Sequence, residues 1–360
     1  MRVGLVGCGN ISRQYLDSLE RLPGLALTVV ADLDPAAAAA VAERTGARTS
    51  APDALLTDDE VDVVLNLTTP QAHAPLTIAA LEAGKHVYLE KPFATSLADA
   101  DAMLAAAARA DRRIGSAPDT VLGTGTQTAR ALIDRGEIGQ PVAATAFMLI
   151  PGHEAWHPSP GFYYATGGGP LLDMGPYYLT SLVTMLGPVE TVTAMSARPR
   201  PVRVAPPGSP RAGEEFPVEV ETTVSAVLRH AGGAVSTLVV SFDVVASTLP
   251  RIEVYGTEGS LAVPDPNHFD GEVRLGRRGA FEPVEPLAGY PGAGRGYGLA
   301  DMARAIAAGT GHRQSAELGY HVNEVMERVL EAAATGTVVP VRSRCERPDP
   351  VPAGADPASA

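Results

Sequence analysis

The chain has 360 residues, 45% of them hydrophobic and 19% charged, with a formal net charge of −13. At roughly 100–200 residues per domain that length predicts two domains, and the apolar content excludes a wholly disordered chain. The acidic balance, without a long Lys/Arg cluster, argues against nucleic acid as a partner, and the lack of any apolar run of 18 residues argues against a membrane helix.

In chain order, Arg2–Val6 reads as a strand and Ile11–Leu22 as a helix with Ile11, Tyr15, Leu19 and Leu22 on one face. Leu25–Ala31 is a second strand. Asp34–Thr45 is an Ala-rich helix capped by Asp34, with Pro35 in its first turn. Val61–Leu67 and His86–Glu90 are further strands, and Pro75–Gly84 and Leu97–Ala110 further helices. Strands alternating with helices of this length predict βαβ units around a buried parallel sheet.

The pattern changes after about residue 120. Gly123–Arg135 reads as a helix and Pro141–Ile150 as a strand, followed by a Gly/Pro/aromatic loop from Pro151 to Pro170 and an apolar helix to about Leu186. From Val189 to about Leu275 the segments are strand-like, with a hairpin at Gly232-Gly233 and a Pro/Arg-rich mobile surface loop at Arg198–Gly213. Helical patterns return at Leu299–Ala308 and Ala316–Ala334. The expected division is a Rossmann α/β domain over 1–120, an α+β domain with an open, mostly antiparallel sheet over 121–345, and a disordered Pro/Ala-rich tail over 346–360.

Four motifs carry chemistry. Gly7-Cys8-Gly9-Asn10-Ile11-Ser12 lies between a strand and a helix, where Gly7 makes a tight turn and Gly9 lets backbone N–H groups approach a pyrophosphate. Ser12 replaces the usual third Gly or Ala and is small enough for close packing. Asp32 ends the second strand, 20 residues after Ser12, where a carboxylate accepts hydrogen bonds from ribose hydroxyls and repels a 2′-phosphate. NAD is therefore preferred over NADP. Thr68, Thr69, Pro70 and His73 follow the third long strand and face the same crevice, unless they merely end the strand and start a helix. Glu90-Lys91-Pro92 closes the next strand and sets a lysine at the crevice. Asp173 and Tyr177, four apart, share one helical face as an acid/base pair would; Asp173 as an N-cap with Tyr177 in the core is the alternative.

Taken together, these motifs and the later Gly256-Thr257-Glu258-Gly259-Ser260-Leu261 stretch resemble the family named after glucose–fructose oxidoreductase, inositol dehydrogenase and MocA, over about residues 1–345. The resemblance implies an NAD-binding Rossmann domain followed by an open-faced sheet used for substrate binding and for packing in a homodimer or homotetramer. It implies Lys91, Asp173 and position 177 as the catalytic set, and Gly7, Gly9, Asn10, Ile11, Asp32, Thr68, Thr69, Pro70, His73, Glu90 and Lys91 as the cofactor site. Many members carry His where this chain has Tyr177. The implied activity is hydride transfer between nicotinamide and a secondary alcohol of a sugar, sugar derivative or cyclic polyol. The alternatives are a glycoside hydrolase that oxidises transiently, and a non-catalytic NAD or sugar sensor.

His153-Glu154-Ala155-Trp156-His157 matches the zinc-protease pattern H-E-x-x-H. Pro158 disfavours helical geometry at His157, so no metal site is expected. The segment reads instead as a substrate-facing loop, with Trp156 as a platform for a sugar ring, His153 and His157 as hydrogen-bonding groups and Tyr163 as a further contact; a rigid structural loop is the alternative. Asp119 faces either nicotinamide or substrate, or caps a helix. Cys8 and Cys345 cannot frame a disulfide network, and the N-terminus lacks the long apolar core of a signal peptide, so a cytoplasmic protein is expected.

Overall fold

A computed structural model describes residues 1–357, which divide into two compact units. The first combines residues 1–124 and 288–323 with the chain from Pro348 on; the second comprises 125–287 and 324–347.

In the first unit a six-stranded parallel sheet holds β1 (Arg2–Val6), β2 (Ala26–Ala31), β3 (Arg48–Thr49), β4 (Val63–Asn66), β5 (His86–Leu89) and β6 (Ile114–Ser116) in the order β3-β2-β1-β4-β5-β6. That order reverses direction between β1 and β4, and in open α/β sheets ligands bind outside the strand carboxyl ends at such a switch point. Val3, Leu5, Val63 and Leu65 are fully buried, as expected for strands covered on both faces. The helices are α1 (Ser12–Leu19), α2 (Pro35–Thr45), α3 (Pro52–Leu56), α4 (Pro70–Glu82) and α5 (Leu97–Ala110). Asp34 caps α2 by accepting from the Ala36 N–H at 2.9 Å, and Pro35 takes the first helical position. Helix α4 starts at Pro70, ahead of the expected Pro75, because a proline needs no N–H partner at the first helical position; Pro75 lies inside the helix.

The described part of the C-terminal segment is ordered against the first unit, contrary to the expected disordered tail. Val351 is fully buried in a cluster with Leu22, Tyr290 and Tyr297. Arg313 donates to the carbonyls of Asp349 and Pro350, each at 3.0 Å, and Arg304 to that of Asp356 at 2.9 Å. Prolines restrict the unfolded segment and so reduce the entropy lost on docking. Residues 358–360 of the expected tail lie outside the described residues.

The second unit contains α6 (Thr124–Asp134), β7 (Pro141–Leu149), α7 (Pro170–Leu186), β8 (Val189–Ala197), β9 (Val202–Val204), β10 (Glu215–Pro217), β11 (Thr223–His230), β12 (Val235–Ser241), β13 (Ile252–Gly256), β14 (Ser260–Val263), β15 (Val273–Arg277) and β16 (Ala280–Val284). Helices α8 (Tyr297–Ala308) and α9 (Ala316–Thr335) and strand β17 (Val339–Pro340) complete the chain; α8 belongs to the first unit, and β17 to the second. Nine strands form one sheet, β16-β15-β14-β13-β7-β12-β11-β8-β17, in which β7 and β12 run parallel and the other neighbours antiparallel. Alternate residues of β11 are buried, so one sheet face is covered and the other open. Helix α7 lies over β7, β11 and β12.

The expected mobile loop at Arg198–Gly213 contains ordered structure. Strand β9 pairs antiparallel with β10, and the side chain of Arg203 is wholly buried. A buried guanidinium needs carboxylates and carbonyls around it, and those partners fix the segment.

Candidate active site

The glycine loop joins β1 to α1. Gly7 has φ +99°, and a Cβ there would lie 2.6 Å from the Leu67 carbonyl group, so both conformation and packing demand glycine. A Cβ on Gly9 would meet no protein atom within 4 Å. No side chain caps the start of α1, although Ser12 Oγ donates to the Gly9 carbonyl at 2.7 Å. Asn10 and Ile11 complete this open helix start, which fits an anion such as a pyrophosphate. At the end of β2 the Asp32 carboxylate accepts the N–H groups of Cys8 (2.6 Å) and Asp34 (2.8 Å). Each oxygen keeps a further acceptor site for a ribose hydroxyl. The next residue, Leu33, is exposed, and the next cation along the chain, Arg44, is bound to Asp17 and Glu20, leaving a 2′-phosphate no partner from this segment. Burial, with Asp32 beside it, pushes the Cys8 thiol up to about 11, so it stays protonated near neutrality.

Beyond β4, Asn66 Oδ1 accepts the Thr68 hydroxyl at 2.6 Å, while its amide donates to the His73 carbonyl at 3.2 Å. Thr68, Thr69 and Pro70 thus form a tied-down loop at the switch point. His73 does not face the crevice. Its ring is fully buried between the carbonyls of Pro92 (2.8 Å) and Thr68 (3.1 Å), and burial pulls its pKa down. It holds the loop after β4 to the turn after β5. Glu90 is also turned inward: one oxygen accepts the Tyr15 hydroxyl at 2.8 Å and the other the Lys91 N–H at 2.9 Å. It ties Lys91 to α1. Asp119 takes the second of its two readings, that of a helix cap. Its carboxylate is fully buried and accepts the Gly296 and Gly298 N–H groups at 2.8 and 3.0 Å, capping α8; burial pushes its pKa up. Both donors lie some 180 residues downstream, beyond the reach of local spacing.

In the second unit Asp173 is in the first turn of α7 and Tyr177 lies one turn on, nearly buried. Gly169, not Asp173, is the N-cap. His153 Nε2 stands 3.5 Å from Asp173 Oδ2, and the His153 ring stacks on Tyr163 with centroids 3.8 Å apart. Trp156 is exposed and tilts against His153 at 5.4 Å; His157 meets Trp156 and Tyr163 edge-on at 5.2 Å each. The unit therefore gathers His153, Trp156, His157, Tyr163 and Asp173 into one cluster. Sequence reasoning missed its support. Arg203 donates to Glu154 (2.9 Å), Asp243 (2.5 Å) and the Phe242 carbonyl (2.8 Å), and the Tyr164 hydroxyl donates to Glu154. Glu154 is thus spent on an ion pair rather than poised as the base of a zinc protease. The Val202-Arg203-Val204 alternation fits a strand but by itself would turn the valines inward; here both are exposed and Arg203 is buried, so no local signal marks it.

A parallel sheet in this order, with an open glycine loop and a carboxylate at the end of β2, is a dinucleotide-binding module of the oxidoreductase class. Residues 1–117 match the oxidoreductase family with an NAD-binding Rossmann fold, and residues 126–262 match the GFO/IDH/MocA C-terminal domain. The chain is 30% identical to 1,5-anhydro-D-fructose reductase of Ensifer adhaerens over 72% of its own length and 74% of the relative's. It is 28% identical to myo-inositol 2-dehydrogenase of Thermotoga maritima, again over 72% and 74%. The solved structure of levoglucosan dehydrogenase with NADH and L-sorbose superposes with a TM-score of 0.80 at 26% identity, covering 95% of this chain and 99% of that one. The chain belongs to the GFO/IDH/MocA family of oxidoreductases, with NAD as the cofactor of its first unit.

Proposed function

We propose that the protein interconverts a secondary alcohol of a sugar, sugar derivative or cyclic polyol with its ketone, using NAD(H). The carrying observation is the cluster in the second unit: a carboxylate and a phenol one turn apart on α7, beside an aromatic wall suited to a sugar ring. NAD supplies the hydride acceptor when bound. Tyr177 takes the hydroxyl proton in oxidation and returns it in reduction, assisted by Asp173 and Lys91. Only two of the chain's 28 Lys and Arg residues are lysines. Lys85 donates to the Asp58 carbonyl at 2.8 Å, and Lys91 follows the carboxyl end of β5. An amine can exchange a proton where a guanidinium cannot, which supports the role for Lys91.

No helix among the described residues is long and apolar enough to cross a membrane. We place the protein in the cytoplasm on its low cysteine count, which suits a reducing compartment. Met195, Val227 and Val235 share the open sheet face and are exposed, which supports a homodimer or homotetramer closed over that face. Light scattering that gives a monomer refutes this.

The test follows absorbance at 340 nm with NAD against a panel of sugars, inositols and glycosides, with sugar release assayed alongside. NADH accumulating with one polyol class is expected; sugar release without NADH favours a glycosidase. Lys91→Ala and Tyr177→Phe are each expected to lower turnover about 100-fold or more while leaving NAD affinity largely intact. Near-wild-type turnover in both sinks the mechanism.

A further inference from the structure

The first two residues of the H-E-x-x-H pentapeptide serve opposite sides of its loop. His153, with 7% of its side chain exposed, presents Nε2 to the Asp173 carboxylate at 3.5 Å. Its ring is held on one face and at an edge: Tyr163 stacks at 3.8 Å with 17° between planes, and Phe242 meets it at 4.7 Å with 75° between planes. Glu154 turns away to Arg203 Nε at 2.9 Å. The same guanidinium donates from Nη2 to the Pro151 carbonyl at 2.5 Å and the Phe242 carbonyl at 2.8 Å. One buried cation thereby fixes both the loop that carries His153 and the segment that carries Phe242. Gly152, between them, has φ +106°, and a Cβ there would collide with Arg203 Nη2, so the loop passes over the guanidinium with no room to spare.

We propose that His153 is a positioning residue: as a neutral imidazole it donates its Nε2–H to Asp173 and holds that carboxylate in the rotamer that works beside Tyr177. The inference rests on the reading of Asp173 as catalytic. A short carboxylate side chain has several staggered orientations, and a fixed donor selects one. Among the groups facing the imidazole are Asp173 from α7, Tyr163 and Trp156 from the loop, and Phe242 from the segment after β12. The Tyr164 hydroxyl accepts the His153 backbone N–H at 3.2 Å. Glu154, the nearest other carboxylate in the sequence, is paired with Arg203, whereas Asp173 Oδ2 stands 3.5 Å from the ring's Nε2.

The test compares two variants with complementary losses. His153→Phe keeps an aromatic plate against Tyr163 and Phe242 but removes the donor. His153→Gln loses the plate but keeps an N–H at similar reach. His153→Phe is expected to lower kcat about 30-fold with KM within roughly threefold, and His153→Gln to recover kcat to within about fivefold of wild type, since loss of orientation acts on the reacting geometry. A His153→Phe kcat within about threefold of wild type, or equal loss in both variants, overturns the proposal. Asp173→Asn, measured beside them, separates the two layers: full activity there removes the catalytic reading of Asp173, whereas an inactive Asp173→Asn beside an unimpaired His153→Phe removes only the role of His153. A readout on the wild-type protein needs no variant to be active. In long-range ¹H–¹⁵N spectra the His153 signal, assigned by its absence in His153→Gln, is expected to show the neutral Nε2–H tautomer; an Nδ1–H tautomer overturns the proposal.

Discussion

The glycine loop shows how two residues of one type can have different physical duties. Gly7 is required by the fold, since its φ of +99° and the Leu67 backbone, 2.6 Å from where a Cβ would stand, exclude a side chain. Gly7→Ala is expected to cost about 1–3 kcal/mol of stability, or more with the clash, read as a lowered midpoint of thermal unfolding. Gly9 faces open space, so Gly9→Ala is expected to unfold at the wild-type temperature yet bind NAD at least about tenfold more weakly by calorimetry, because the methyl occupies the approach of the pyrophosphate. Equal NAD affinity in Gly9→Ala removes the phosphate-cradle reading. Gly7, Gly9 and Asp32 are legible in sequence because their duties follow from neighbours along the chain. His73, Glu90 and Asp119 are not. A polar residue at or shortly beyond a strand's carboxyl end reads alike whether it faces a ligand or a buried partner, and here each faces a partner.

At the scale of elements, β5 begins with a histidine whose neutrality the fold requires. His86 Nδ1 accepts the Arg113 N–H at 3.0 Å. Burial, then Arg112 and Arg113, pulls its pKa down to about 4. Unfolded, the imidazole takes a proton below about pH 6.5, while the folded one resists until about 4. Stability from this group is therefore fully present above about pH 6.5 and lost as pH falls toward 4. His86→Asn keeps an acceptor that cannot protonate and is expected to flatten the fall of Tm across that window. Parallel Tm curves for the two proteins count against the account. Most helices and strands are readable from alternation, and α2 shows why: Asp34, Pro35 and Gly46 mark both of its ends. Strand β9 is not, because a Pro/Arg-rich stretch looks solvated until Glu154 and Asp243, 49 and 40 residues away, receive Arg203.

At the scale of the molecule the chain crosses between its units more than once. The first unit recruits 288–323 and the segment from Pro348 on, so a boundary at residue 120 captures only part of it. The C-terminal segment is structural: Val351→Asp places an unpaired carboxylate in the cluster of Leu22, Tyr290 and Tyr297 and is expected to cost about 3 kcal/mol or more. Ala353→Asp, at an exposed position two residues on, is expected to leave Tm unchanged. Similar melting of the two variants by calorimetry argues against a docked segment.

The sequence by itself determined the cofactor-binding module and the placing of Asp173 and Tyr177 one turn apart on a helix. A strand–glycine–helix junction, an acidic strand end and a four-residue helical spacing are set by backbone geometry within a few residues, and that geometry is the same wherever the segment sits. Only the tertiary structure decided that Asp119 caps α8, that Arg203 carries the aromatic loop, and that the C-terminal segment belongs to the first unit. Each depends on a buried polar or apolar group meeting a partner far along the chain. Desolvation makes that meeting obligatory, but no local pattern names the partner.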